Sequence, residues 1–473
     1  MEQATLTAPT TRPVKAARAR RWSVMLVVII VLGAGVLRVL ASRNGFWVDE
    51  IFSLDIARSS RSLAQAALTP SDNNHPLNTI WLYLVGERRH WEVYRIPAML
   101  SGTLAVALIA MLLRCEGKAA SVIGAVLAGT SYFLVHYGSE ARGYAPAMLF
   151  ALLCMLILRR YFESPRRTLS LGFVACVALG VLSHPSFVYI YLGLLAWSLA
   201  EFRRTKEMWI HLVRLHAVPL AFLGVVYLLL ICRLTPGGGA PYPAWRAAVD
   251  AIAWTMGWAR NGWMTIAMCA ATALIVVNEI AKLYRKGDSE WIFYAVALLI
   301  GPAAALMVWR EPFVYPRYFA VGIPLILILI SRFLARAWSA DWLARIGCCV
   351  FMALFVWGNE RELSRFFKLG RGQYLQAMRY MSANGRTTVG ALQDQRNPMV
   401  FRFYESYRSP QERLEYVRQE DWPSNPPQWI VVDGLEWSDP VATERIRKRG
   451  YKLDRIYRYY GLSGFEWWLY RRE

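Results

Sequence analysis

Two adjacent carboxylates, Asp49 and Glu50, follow the first long apolar stretch of the chain. A carboxylate at an apolar boundary is energetically costly, so it is a candidate for a function. It could accept a proton, bind a metal ion or anchor a substrate. On a helix, neighbouring side chains point about 100° apart, so we expect the two acids to have different roles. The alternative is structural, with Asp49 as the N-cap of an amphipathic helix that runs to Leu68.

The segment after this acid pair carries two further polar candidates. The sequence NNHPL places His75 before Pro76, and an imidazole there could bind a metal ion or donate to a phosphate. The alternative is a loop from which a helix starts at Pro76, since proline is favoured at the first helical position. Arg95, in the sequence RIP, is the other candidate, and its alternative is an ordinary arginine whose charged end reaches the membrane interface.

A short polar segment, HYGSEARGY, separates two apolar stretches and ends at Tyr144. It combines a histidine, a glutamate, an arginine and two tyrosines, which is more than simple solvation requires. Glu140 and Arg142 are therefore candidates for contact with a substrate. The alternative is that these two side chains form an ion pair with each other.

Two more candidates lie at the ends of later apolar stretches. His184 lies in a Ser-His-Pro turn, where a lone histidine is more often structural than catalytic. Arg317, in the sequence YPRY, begins a stretch at the side where positive charge is scarce. Its guanidinium presents a planar fork of donors that suits an anionic group such as phosphate, and Tyr318 follows it.

The composition defines the class of protein that must position these groups. Of the 473 residues, 56% are apolar and 18% are charged, against about a quarter charged in soluble domains. The formal net charge is +21, which by itself is also typical of nucleic-acid binding. Long apolar runs separated by basic loops favour a polytopic membrane protein instead. We therefore expect no nucleic-acid partner.

Eleven apolar stretches predict membrane-spanning helices. They cover residues 22–41, 97–113, 119–136, 144–158, 169–183, 186–201, 213–232, 262–281, 291–309, 318–335 and 343–358. The first has about 20 residues, so we expect a retained anchor rather than a cleaved signal peptide. Arginine and lysine concentrate in alternate loops, which predicts a cytoplasmic N-terminus and an extracytoplasmic C-terminus. The polar candidates then all lie on the extracytoplasmic side.

These spans divide the chain into three predicted parts. Residues 1–21 form a cytoplasmic segment, and residues 22–358 form a transmembrane domain whose first extracytoplasmic loop, 42–96, is large. Residues 359–473 form an extracytoplasmic soluble α/β domain. In this tail we predict a helix at 374–381 and strands at 387–392, 428–433 and 466–470.

The order of these motifs resembles that of the GT-C superfamily of membrane glycosyltransferases. One span is followed by the acid pair, HPL, an Arg-x-Pro, a Glu-Ala-Arg-x-Tyr loop, a His-Pro turn and a late Pro-Arg-Tyr. The chain is most similar to the branch of protein O-mannosyltransferases and the lipid A aminoarabinose transferase, over about residues 20–335. No single motif is specific to this superfamily. The order of the motifs and their common side of the membrane are specific when taken together.

The resemblance implies a GT-C-like bundle of about eleven transmembrane helices with a small extracytoplasmic α/β domain. It also implies a reaction, in which a sugar passes from a polyprenyl-phosphate donor to an acceptor hydroxyl with inversion. Asp49 matches the family's proposed base and Glu50 its second acid. Arg142 and Arg317, with Tyr318 beside them, match positions that bind the lipid phosphate.

The resemblance leaves the cofactor and the acceptor open. His75 occupies the family's HPP-type position, where Leu77 replaces the second proline. A divalent metal ion assists the phosphate in parts of the family, but no cofactor is certain here. The acceptor is a lipid, a glycan or a protein, and membrane lipids surround the bundle. The remaining substrate or metal candidates are Arg95, Glu140, Tyr144 and His184.

Two other functions compete with this interpretation. A polysaccharide polymerase or ligase of the outer leaflet would use lipid-diphosphate glycans and similar arginines, but its key groups usually lie in a late loop. A transporter would place charges near the middle of its spans. The short N-terminal segment favours a bacterial inner membrane.

Overall fold

The computed structural model describes residues 12–234, 242–259, 261–308, 314–392, 394–409, 413–434 and 440–473. Residues 1–11 of the predicted cytoplasmic segment lie outside this described part of the chain. Within the described residues all eleven predicted apolar stretches are helical, although 119–136 is divided at Ser131 into two helices and residue 309 lies outside the described part. In chain order the helices are α1 Arg12–Ser42, α2 Val48–Ser59, α3 Leu63–Leu68, α4 Pro76–Val85, α5 Ile96–Leu112, α6 Lys118–Thr130, α7 Tyr132–Tyr137, α8 Tyr144–Glu163, α9 Arg167–Ser183, α10 Phe187–Phe202, α11 Met208–Leu229, α12 Ala244–Met256, α13 Trp263–Arg285, α14 Glu290–Ala295, α15 Gly301–Val308, α16 Ile323–Ser339, α17 Trp342–Leu369, α18 Tyr374–Met381, α19 Asn397–Glu405 and α20 Pro440–Lys448.

Eight helical segments in the described ranges are long and apolar enough to cross a membrane. They are Arg21–Ser42, Trp91–Glu116, Tyr144–Glu163, Met208–Arg233, Trp263–Arg285, Glu290–Val308, Pro316–Ser339 and Trp342–Met381. The apolar helices α4, α6, α9 and α10 are shorter. The chain is thus a polytopic helical protein, and the number of eleven spans stays a prediction.

The first loop is helical in pieces. Helix α2 is capped by Trp47 and ends at Ser59, so the expectations that Asp49 is the N-cap and that one helix runs to Leu68 are both wrong. The chain turns at residues 60–62, and the Ser62 side chain accepts a hydrogen bond from the Gln65 N–H to begin α3. Helix α4 begins at Pro76, as predicted.

The membrane-spanning segments differ in how far they are buried by their neighbours. The Pro316–Ser339 segment, which contains α16, is 78% buried, whereas Met208–Arg233 is 28% buried. A helix that is apolar on all sides can occupy either position, since lipid tails are as apolar as leucine. Helix α16 is thus central and α11 peripheral.

The two ends of the bundle are joined by α8 and α16, and charged side chains occupy both. At the end away from Asp49, Arg159 contacts Glu290 at 2.5 Å. Arg332 contacts Glu290 at 3.1 Å and Glu116 at 3.0 Å. Arginines counted as loop charges in the sequence are therefore partly built into buried ion pairs.

The C-terminal part forms a small domain around a five-stranded sheet with strand order β2-β1-β3-β5-β4. The strands are β1 Thr387–Ala391, β2 Leu414–Tyr416, β3 Trp429–Gly434, β4 Tyr451–Tyr457 and β5 Glu466–Arg472. Strands β1, β2 and β3 are parallel, and β5 is antiparallel to both β3 and β4. The predicted helix and three predicted strands are confirmed, whereas β2 and β4 were not predicted.

Candidate functional site

Three charged side chains, which we call the open cluster, meet where α2, the segment before α8 and the segment before α16 come together. Asp49 Oδ2 lies 3.5 Å from Arg317 Nη1 and 4.0 Å from Arg142 Nη2. This oxygen is buried and makes no hydrogen bond within the described residues. At these distances the attraction is electrostatic and both arginines keep donors available for another anion.

The two arginines are held in different ways. Arg142 Nη1 donates to the Asn73 side chain at 2.8 Å and to Ser53 Oγ at 3.0 Å, so the first loop fixes its position. Arg317 lies over the ring of Tyr315, 4.5 Å from the centroid, and faces Tyr318 and Trp47 at longer range. Cation–π contact orients a guanidinium without occupying its donors.

Glu50 and Arg95 form a second arrangement, which we call the anchor. Both side chains are fully buried, with Glu50 Oε1 2.7 Å and Oε2 2.5 Å from the Arg95 guanidinium. Arg95 also donates to the carbonyl oxygens of Ser42, Asn44 and Gly45. The alternative in which Arg95 reaches the membrane interface is therefore wrong, because its donors are used inside the protein.

The anchor also connects α2 to the segment that carries Arg142. Glu50 Oε1 accepts a hydrogen bond from the Ala141 N–H at 2.6 Å. Burial, the largest single cause, would raise the pKa of Glu50, but Arg95, Arg371 and the Ala141 N–H together outweigh it and hold that pKa below its usual range. Glu50 is thus an ionised side chain whose two oxygens are both in use.

His75 and His184 contact each other edge to face, with ring centroids 4.8 Å apart. The Gly143 N–H donates to His75 Nδ1 at 2.7 Å, which fixes the proton on Nε2. Burial and the charges of Arg142 and Arg317 lower the pKa of both histidines, to about 3 for His184. Both rings are therefore neutral at pH 7.

Close approach explains the glycine between Arg142 and Tyr144. A Cβ on Gly143 would lie 1.7 Å from the carbonyl oxygen of Ser183, in the turn that carries His184. Tyr144 begins α8 and packs its ring against both histidines, 4.8 Å from His184 and 5.2 Å from His75. The three predicted loops thus meet in one tightly packed unit.

Glu140 pairs with other side chains and not with Arg142, so the alternative of an ion pair between these two residues is wrong. Ser463 Oγ donates to Glu140 Oε2 at 3.0 Å, and Arg371 Nε lies 3.9 Å from the same oxygen. Arg371 also donates to the His136 carbonyl at 2.8 Å and to Ser139 Oγ at 3.1 Å. Burial, the largest cause, raises the pKa of Glu140.

The C-terminal domain therefore takes part in building the site, which the sequence did not reveal. Tyr404 on α19 accepts a hydrogen bond from the Phe46 N–H at 2.7 Å and donates to the Phe46 carbonyl at 2.9 Å. Neither Arg371 nor Tyr404 lies in a motif, so only the long-range contact identifies them. Ser53 and Asn73 were missed too, although both lie close to predicted residues.

The residues that could ligate a metal ion, Asp49, Glu50, His75 and His184, do not form a metal site with one another. Glu50 is paired with Arg95, and His75 and His184 each use Nδ1 to accept a backbone N–H. Across the described ranges, no three His, Cys, Asp or Glu side chains are grouped so as to hold a metal ion. These residues thus do not fit a resident metal in the present arrangement.

Comparison with known proteins agrees with this architecture. Residues 77–228 match the sequence model of the family described as dolichyl-phosphate-mannose-protein mannosyltransferase. No curated protein matches significantly in sequence.

Three solved structures match the whole described fold. Apo ArnT from Cupriavidus metallidurans gives a TM-score of 0.55 at 13% identity, over 96% of this chain and 98% of ArnT. ArnT bound to undecaprenyl phosphate gives 0.50 at 13% identity, over 95% of this chain and 98% of that chain. The mycobacterial arabinofuranosyltransferase AftD gives 0.47 at 16% identity, over 96% of this chain but 40% of AftD.

The fold is therefore similar to that of ArnT, with a helical bundle and a small C-terminal sheet domain. The resemblance drawn from the order of motifs is confirmed at this level. All ten predicted site residues take part in the contacts described above, Tyr318 through its contact with Arg317.

Proposed function

We propose that this protein is a glycosyltransferase that moves a sugar from a polyprenyl-phosphate donor to an acceptor hydroxyl. The observation that carries the proposal is the open cluster, in which a carboxylate oxygen without a hydrogen bond lies within 4.0 Å of two arginines. ArnT, whose fold is similar, has been solved with undecaprenyl phosphate bound, which supports a polyprenyl phosphate as the lipid partner.

In the proposed reaction, Arg142 and Arg317 bind the donor phosphate. Their side chains together retain unpartnered buried Nε groups among the described residues, as well as the Nη donors that face Asp49. As the bond between C1 and the phosphate oxygen breaks, negative charge grows on the leaving polyprenyl phosphate. Two preorganised guanidinium groups stabilise that charge.

Asp49 acts as the base. The acceptor hydroxyl attacks C1 from the face opposite the phosphate, its proton passes to Asp49, and the configuration at C1 inverts. Phosphate binding would draw the arginines away from Asp49, so the carboxylate would be released when the donor arrives. General base catalysis of this kind contributes about 10²- to 10⁴-fold.

The other predicted residues position these three. Glu50 has both oxygens in use, so we assign it to holding α2 against the Arg142 segment rather than to catalysis. His75 and His184 are neutral and packed, and we assign them to the same task. No step requires a metal ion.

The proposal includes the orientation predicted from the loop charges. The N-terminus lies in the cytoplasm, the site and the C-terminal domain lie outside, and the membrane is the bacterial inner membrane. The three predicted parts, 1–21, 22–358 and 359–473, then correspond to a cytoplasmic segment, the catalytic bundle and the outer domain. A tag after residue 473 that is accessible only from the cytoplasm would contradict this orientation.

The test is release of polyprenyl phosphate by purified protein incubated with a panel of polyprenyl-phosphate sugars and a membrane extract as acceptor source. We expect sugar-dependent release that is lost in Asp49→Asn, which keeps size and removes the base. Asp55→Asn, on the same helix but outside the open cluster, is the matched control and should retain wild-type release. Normal release by Asp49→Asn, or none with any donor, would reject the proposal and leave a polymerase or transporter.

A further inference from the structure

The sheet of the C-terminal domain has a point where its strand order reverses. The chain passes from β1 to β2 on one side and then to β3 on the other side of β1. All three strands are parallel, so the carboxyl ends of β1 and β3 lie next to each other at one edge of the sheet, where the strand order reverses. In open sheets with parallel strands, the crevice at such a point is the usual place for a ligand.

A buried carboxylate lies at this crevice. Asp433 is the penultimate residue of β3 and is 9% exposed, and neither of its oxygens has a hydrogen bond within the described ranges. Asn397 and Trp467 approach it as side-chain donors outside hydrogen-bond geometry, and Arg396 acts on it through its charge. Burial, which they offset only in part, raises the pKa of Asp433 to about 6. An unpartnered buried carboxylate is costly and indicates that a hydrogen-bond donor is bound there in function.

Aromatic side chains connect this crevice to the open cluster. Arg396 lies over the ring of Phe465 at 5.5 Å, and Phe465 contacts the ring of Trp47 at 6.3 Å. Trp47 lies 5.9 Å from the Arg317 guanidinium. The buried indole N–H of Trp47 also has no acceptor among the residues that the structure describes. Between the crevice and the open cluster, the described residues thus include a donor without an acceptor among them, the Trp47 N–H, an acceptor without a donor, the Asp433 carboxylate, and an apolar surface, the Phe465 ring.

We propose that this crevice binds a saccharide, the carbohydrate part of the acceptor, and so extends the active site into the C-terminal domain. Sugar hydroxyls would donate to Asp433 and accept from the Trp47 N–H, and the C–H face of a ring would pack on Phe465. The assignment to the acceptor, rather than to the donor, rests on the proposed function. In that function the donor lipid reaches Arg142 and Arg317 from the membrane, whereas a group held by this domain comes from outside.

The inference is tested by binding, without turnover. Purified full-length protein in a detergent without a sugar headgroup is titrated with methyl glycosides of glucose, galactose, mannose, arabinose and N-acetylglucosamine. Saturation-transfer difference NMR gives the dissociation constants. We expect at least one glycoside to bind wild-type protein and Asp49→Asn equally well, because Asp49 acts on the proton and not on this subsite.

Two variants remove the subsite and one controls for the substitution. Asp433→Asn keeps the size of the side chain and should weaken binding at least tenfold, and Phe465→Leu should weaken it as well. Asp421→Asn makes the same chemical change at an exposed position of the same domain and should bind like wild type. No binding by any glycoside, or equal binding by Asp433→Asn, would overturn the inference.

The result separates this inference from the proposed function. Glycoside binding that depends on Asp433, without release of polyprenyl phosphate, would retain the saccharide site and reject the transferase. Release of polyprenyl phosphate without any glycoside binding would do the reverse.

Discussion

The open cluster and the anchor contain neighbouring acids on the first turn of one helix, yet they differ in almost every physical respect. Glu50 has both oxygens bound by Arg95 and by a backbone N–H, and it is fully buried. Asp49 faces Arg142 and Arg317 at 3.5–4.0 Å, and its Oδ2 has no hydrogen bond inside the described residues. An ion pair whose hydrogen-bond donors are all occupied stabilises the fold. An ion pair whose donors remain available can also bind a ligand.

The difference follows from direction along the helix. Successive side chains on α2 diverge by about 100°, so one acid enters the packed interior and the other faces Arg142 and Arg317. Both acids still depend on the same segment, since Glu50 binds the Ala141 N–H and Asp49 lies near Arg142. The anchor therefore sets the geometry of the open cluster.

The largest effect is expected from breaking the anchor. Glu50→Gln leaves the Arg95 charge buried without its partner, which costs about 3–5 kcal/mol of unfolding free energy. Thermal unfolding of the purified protein should show a large fall in Tm and poor recovery of folded protein. Asp49→Asn is the matched control, with Tm close to wild type. Similar Tm values for both variants would contradict the division into anchor and open cluster.

A smaller effect is expected from removing one cation of the open cluster. Arg317→Ala deletes charge-assisted hydrogen bonds to the donor phosphate, each worth about 1.5–3 kcal/mol, which corresponds to about a 10- to 100-fold rise in donor KM. The initial rate against donor concentration measures it. Arg418→Ala, on an exposed side chain of the C-terminal domain, should leave the donor KM unchanged. Unchanged donor KM in Arg317→Ala would remove its phosphate role.

The contribution of the C-terminal domain is expected to be smaller again. Arg371→Lys keeps the charge but loses the fork that binds the His136 carbonyl and Ser139. We expect kcat to fall about tenfold with little change in donor KM, since about 1.4 kcal/mol of positioning is lost. Arg371→Ala should lose more activity than the lysine variant. Arg379→Lys, on the exposed face of α18, is the control, and equal loss there would contradict the assignment.

The smallest effect concerns Asp433, whose carboxylate is buried like Glu50 but lacks a partner. Burial raises the pKa of Asp433 to about 6, so the folded state binds this proton more tightly than the unfolded state does. The resulting stabilisation is complete below the unfolded pKa of about 4 and is lost as the pH rises through about 6. Lowering the pH from 7 to 5 should therefore add about 1 kcal/mol through this group. The Tm of wild type and of Asp433→Asn is measured at pH 7 and at pH 5. We expect wild type to gain Tm relative to Asp433→Asn when the pH is lowered, because only wild type has the carboxyl group that takes up the proton. A pH-independent difference would show that the group does not titrate there.

Much of the fold could be predicted from the sequence because lipid imposes simple rules. Every predicted apolar stretch is helical, since backbone groups in hydrocarbon must bond within their own segment. Strands β1, β3 and β5 were found from apolar runs between turn residues. Strand β2 has three residues and β4 alternates charged side chains with apolar ones, so neither gave such a run.

The candidate site could be predicted only in part. Asp49, Arg142 and Arg317 stand at span ends, where charge is unusual, and the structure brings them together. The structural alternatives given for Arg95 and Glu140 were wrong for one reason. Their partners, Glu50 and Arg371, are 45 and 231 positions away, so no local pattern contains them.

The sequence by itself determined that this is a polytopic membrane protein. It also determined which polar groups lie at one end of the bundle and in which order their motifs follow one another along the chain. These properties depend on hydropathy, charge and spacing, all of which are local. Only the tertiary structure decided that Glu50 anchors while Asp49 stays available, and that the C-terminal domain holds the segment beside the site. Those outcomes depend on which donors are used up by distant residues, because a buried charge takes its role from its partners.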